Sequence, residues 1–148
     1  MSGAEPQRRI LRSIGAVLAG LIIGVALSLV TDMAMAAIGV LPPNGKPATS
    51  GPLAFATVYR TIYGVLASYV AARLASYRPM VHAMVLGVLD FIVSIVGLVL
   101  TWNKSAEYGP HWYPIALVIL ALPAAWLGGK LRMNQLSLDG PSPQSAAA

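Results

Sequence analysis

Four stretches of this chain, each long enough to cross a bilayer, carry almost no charge, and that pattern leaves few folds open. A spanning helix takes about 20 predominantly apolar residues. Helices are expected at about 13–38, 53–76, 80–102 and 111–131. The segments between them, "LPPNGKPATSGP", "SYRPM" and "NKSAEYGP", are rich in Pro, Gly and polar residues and read as loops. Pro79 suits the first position of a new helix. Only 10% of the 148 residues are charged, 57% are apolar, and the mean hydropathy is +0.70. A soluble domain carries about 25% charged residues, so much of this surface must face lipid. Four spans and their loops use up the length. Residues 1–148 therefore read as a single membrane domain, with polar, disordered ends at 1–7 and about 134–148.

The expected fold class is all-α: a four-helix transmembrane bundle, antiparallel up-down, with both termini cytoplasmic. The orientation follows from the bias of Lys and Arg toward the cytoplasmic side. Arg8, Arg9, Arg12, Arg73, Arg78, Lys130 and Arg132 fall on one side, Lys46 and Lys104 on the other, and Arg60 lies between. Trp102, Trp112 and Tyr113 fall at the outer edge and Tyr77 and Trp126 toward the inner one, as interfacial anchors do.

Several functions find no support. The chain has no cysteine, which removes disulfides, thiolate metal sites and cysteine nucleophiles. The net charge of +5 sits at helix ends and not in a basic patch with interleaved aromatics, so nucleic acid is not an expected partner. Glu107 and His111 lie four apart, but two ligands fall short of a zinc site. No phosphate-binding glycine loop, HExxH pair or G-x-S-x-G elbow occurs. No catalytic residue, metal or cofactor is expected.

Small and polar residues line up within the spans. In the first helix Ala16, Gly20, Gly24, Ser28 and Asp32 recur every four residues, and Gly20 with Gly24 forms a GxxxG pair suited to close helix approach. Thr57, Arg60, Gly64, Ala67 and Ala71 share a face of the second helix. Ala83, Gly87, Asp90, Ser94, Gly97 and Thr101 do so in the third. Gly20, Gly24, Gly64, Gly87 and Gly97 are the expected helix-packing positions. Pro114 and Pro123 are expected to bend the fourth helix. His82 reads as a solvated interfacial side chain.

Three ionisable residues fall on these inner faces: Asp32, Arg60 and Asp90. A charge at the bilayer centre costs about 2.5–3.5 kcal/mol on insertion scales, so each should face inward and find a partner. The opposed directions of the first two helices put Asp32 and Arg60 at similar depth, close enough to bond. Two acids and one base leave one carboxylate, Asp90, without a full counter-ion. Such a group suits either proton-coupled transport or a structural hydrogen bond.

The segments "LSLVTDMAMAAIGVLPPNGKP", "ARLASYRPMVHAMVLG" and "TWNKSAEYGPHWYPIALVILALPAAWLGGKLR", about half the chain, resemble a group of small four-helix bacterial integral membrane proteins that are uncharacterised. The resemblance implies a multi-pass protein of the bacterial inner membrane and carries no activity with it. The first functional expectation is a non-enzymatic structural or accessory subunit. Its partners would be the lipid bilayer and a homo-oligomer or another membrane protein. The alternative is a small proton- or ion-coupled transporter using Asp90, with Asp32 and Arg60 as an outer gate. A cavity reaching Asp90 favours the alternative, and a closed bundle with Asp90 bonded to a neighbour favours the first.

Overall fold

Helix α1 runs from Ala4 to Ala37, α2 from Ser50 to Leu74, α3 from Pro79 to Thr101, the single turn α4 from Ser105 to Tyr108, and α5 from Trp112 to Leu138. The computed structural model describes residues 4–42, 46, 48–75 and 77–139, with the side chains of 4–7, 106 and 107 left aside. Among the described residues there is no strand. α1, α2, α3 and α5 are each long and apolar enough to cross a membrane, and the chain is a multi-pass membrane protein. Helices suit that solvent because they satisfy every backbone N–H and C=O within the segment.

Two helices outrun their apolar stretches. α1 begins at Ala4, not near Ser13, and its 34 residues would extend about 50 Å against a hydrocarbon core of about 30 Å. Glu5, Gln7, Arg8 and Arg9 are good helix formers, so the backbone stays helical after the lipid-facing run has ended. The disorder expected at 1–7 is therefore replaced by helix from Ala4, and 1–3 lie outside the described residues. α5 likewise continues past Leu131 to Leu138, where the tail was expected to be disordered from about 134. The Tyr69 hydroxyl of α2 donates to Gln135 Oε1 at 2.7 Å and accepts from Arg73 at 3.1 Å, tying this extension to α2. The expected disorder at 140–148 lies outside the described residues. "NKSAEYGP", expected as loop only, contains α4.

The connections follow local chemistry. Gly39 closes α1 with φ 76°, a left-handed value that glycine adopts without steric cost. Pro79 opens α3 directly after Arg78, which holds a left-handed φ of 44°. Pro114 falls in the first turn of α5, where its missing N–H breaks no helical bond, so no bend arises from it; Pro123 is the proline inside the helix.

α1 packs on α2, α2 on α5 and α5 on α3, with α2 also touching α3. The closest approach occurs at the end bearing Arg12, Arg73 and Lys130, and small residues make it possible. A Cβ on Gly20 would stand 2.6 Å from the Ala67 carbonyl and 2.9 Å from Leu86. One on Gly24 would stand 3.1 Å from the Ala67 methyl. The GxxxG face of α1 thus packs on α2 within the chain. Gly87 lies against Ala125, and Gly64 faces Ala124 at 3.5 Å. The sequence reading overlooked an equivalent face on α5, where Ala121, Ala124, Ala125, Gly128 and Gly129 are all buried. Gly128 abuts Ser68 and the Val65 carbonyl, and Gly129 abuts Met80 and Ala83. His82 is 6% exposed, so it is buried and not solvated; its Nδ1 lies 3.2 Å from the Arg78 carbonyl and its ring stands edge-on to Tyr77.

Candidate functional site

Beyond Gly20 and Leu86 the helices part. A Cβ on Gly24 would meet only α2 within 4 Å, and one on Gly97 of α3 would meet nothing. Gly97 therefore departs from its expected packing role. α3 stays packed on α5 but touches α1 only slightly, so the open space lies between α1 and α3, with Leu117, Leu120 and Tyr113 of α5 lining it. The result is a cavity of about 460 Å³ among α1, α2, α3 and α5. The small stripe of α3 is split between two tasks. Ala83 is buried in the closed end, Gly87 sits at the junction, and Asp90, Ser94, Gly97 and Thr101 line the cavity.

The three ionisable residues all border this cavity, but they are not one bonded cluster. Arg60 of α2 donates to Asp32 Oδ2 of α1, and Tyr59 donates to Asp32 Oδ1. One turn on, the hydroxyls of Thr31 and Tyr63 bond at 2.8 Å. Phe55, Tyr59 and Tyr63 recur every fourth residue and stack along α2, with ring centroids 5.6 and 5.7 Å apart. Arg60 keeps a buried Nε without a partner among the described residues. Asp90 stands apart: it borders the cavity but is itself exposed, and has no hydrogen bond or ion pair among the described residues.

The sequence reading missed Tyr59 and Tyr63. Their signal was the four-residue spacing beside Arg60, which puts both on the face turned to α1. Tyr113, expected only as an interfacial anchor, lines the cavity. His111 borders it too, with Nε2 2.7 Å from the Trp102 carbonyl and its ring 4.7 Å from that of Trp102. The Glu107 side chain, considered beside His111 as a metal ligand, lies outside the described residues.

The rim of the cavity is apolar along its flank, while Asp90 and, at the far end, Tyr108 are also exposed. Val25 and Leu29 of α1 are 49% and 56% exposed, and Val93 of α3 is 64% exposed. The opening therefore lies where α1 and α3 diverge and faces the surroundings of the bundle's flank. Comparison with protein-family models, curated proteins and solved structures finds no match to this chain.

Proposed function

We propose that this chain is a small, non-enzymatic, proton- or ion-coupled transporter in which Asp90 is the exchangeable carboxylate. The observation that carries this reading is an unpartnered aspartate facing a cavity of about 460 Å³ inside a membrane-spanning bundle. A structural role would call for a bonded Asp90 in a closed bundle, which makes the accessory-subunit reading the weaker one. The cavity offers water several partners in Asp90, Ser94 and Thr101. A proton or cation can therefore reach Asp90 without crossing bare hydrocarbon. The bonded group of Asp32, Arg60 and Tyr59 flanks the same cavity and suits a gate, since parting α1 from α2 there would break both bonds to Asp32.

The setting we propose is the bacterial inner membrane, on the resemblance of the quoted segments. The helices would cross it up-down, with both termini cytoplasmic. Two features support this. Successive α1 residues meet α2 in reverse order: Gly20 meets Ala71 and Ala67, Thr31 meets Tyr63, and Asp32 meets Tyr59 and Arg60. Seven of the Lys and Arg residues fall toward the end where α1 begins and α5 finishes, against Lys46 and Lys104 at the other.

The test is reaction with dicyclohexylcarbodiimide, which reaches membrane carboxyls from the lipid and modifies their protonated form. The purified chain should gain the adduct on Asp90, more slowly as pH rises, and Asp90→Asn should lose it. An Asp90 that stays unmodified across the pH range while the protein remains folded would sink the reading.

A further inference from the structure

The cavity also limits what can be carried. We infer that its cargo is a hydrophobic monocation, an organic cation or protonated amine with an apolar body, taken up from the bilayer through the gap between α1 and α3. The inference rests on the reading of Asp90 as the exchangeable carboxylate.

Charge comes first. Asp32 and Arg60 neutralise each other in their ion pair, and Asp90 leaves the lining with one negative charge to be met. A monocation cancels it. An anion would add to it, and a neutral guest would leave Asp90 protonated and so drive no proton exchange. The other titratable groups bordering the cavity are Tyr63 of α2, Tyr108 of α4, and His111 and Tyr113 at the start of α5. None of them is a second carboxylate.

Chemistry of the lining comes next. A small hydrated metal ion needs about six oxygen ligands, and among the described residues no three His, Asp or Glu side chains converge. Apart from the ionisable residues and the five Ser and Thr residues Ser28, Thr61, Ser68, Ser94 and Thr101, the walls are Leu, Val, Ala, Gly and Pro. Such walls favour an apolar body. The faces of Tyr63 and Tyr113 can add attraction for a cation. The volume falls within the roughly 300–1,000 Å³ of small-molecule sites. Along the flank, Val25, Leu29 and Val93 give a hydrated ion nothing to bind, whereas a solute dissolved in acyl chains can pass them and meet the exposed Asp90 without first exchanging its surroundings.

The exchange balances. Protonated Asp90 gives up its proton, and the resulting carboxylate pairs with the entering cation, so one positive charge leaves as one arrives. No covalent bond besides O–H is broken.

Tetraphenylphosphonium and tetraphenylborate share size and shape and differ in sign, which makes them suitable probes. Calorimetric titration of the full chain in nanodiscs, in buffers of different ionisation enthalpy, reads both binding and proton release. The phosphonium should bind with release of a proton, and its affinity should rise by up to roughly tenfold per pH unit while Asp90 is mostly protonated. Asp90→Asn should abolish that dependence and weaken binding by about tenfold or more. Gly97→Leu fills open space and should weaken binding while the thermal transition stays in place. Borate binding as tight as phosphonium, or phosphonium binding unchanged by Asp90→Asn, would overturn the inference. Carbodiimide labelling of Asp90 without phosphonium binding would overturn the cargo and leave the exchangeable carboxylate standing. Absence of labelling would remove both.

Discussion

Asp32 and Asp90 are the same side chain in opposite circumstances. Asp32 accepts from Tyr59 and Arg60, so replacing it by alanine strands a guanidinium and a phenol inside the bundle. Asp32→Ala should therefore cost about 3 kcal/mol, and Tyr59→Phe, which removes one donor to a charged acceptor, about 1.5–3 kcal/mol. Thermal unfolding in detergent at neutral pH reads both. Asp90 has no bonded partner to strand, so Asp90→Asn should leave the transition within about 0.5 kcal/mol of the parent or raise it. A large loss of stability would instead make Asp90 a structural group.

At the scale of the helix, one stripe does two things. In α3 the residues from Ala83 to Gly87 close against α5, and those from Asp90 onward face open space. Substitutions should reveal the division. Gly87→Leu and Gly128→Leu overpack contacts already at their limit and should each cost about 1–3 kcal/mol or more. Gly97→Leu should cost little, because nothing stands within 4 Å of its Cβ position. Comparing the three melting temperatures checks this directly. The existence of the four long helices, the inward faces of α1 to α3 and the proximity of Asp32 to Arg60 were legible in the sequence, since hydropathy marks spans and a 3–4 spacing marks a face. Whether a face closes was not legible. That depends on how closely α1 comes to α3, a long-range relation that the spacing of either helix alone does not carry. Helix ends were also hidden, because hydropathy reports where lipid stops and not where backbone hydrogen bonding stops. The run of Ala121, Ala124, Ala125, Gly128 and Gly129 in α5 carries the same 3–4 spacing and was legible too, although Pro123 interrupts it.

For the whole molecule, the proposed orientation has a simple test because the chain has no thiol of its own. Lys46→Cys should react with a membrane-impermeant maleimide added outside intact cells. Arg132→Cys should react only after the membrane is opened. The reverse pattern would invert the topology. The gap between α1 and α3 bears on measurement as well as on mechanism. A site entered sideways fills at a rate set by the solute's mole fraction in the acyl chains and not by its molarity in buffer. Two ligands of equal affinity would then differ in association rate by the ratio of their partition coefficients, and adding empty vesicles would slow the uptake of both.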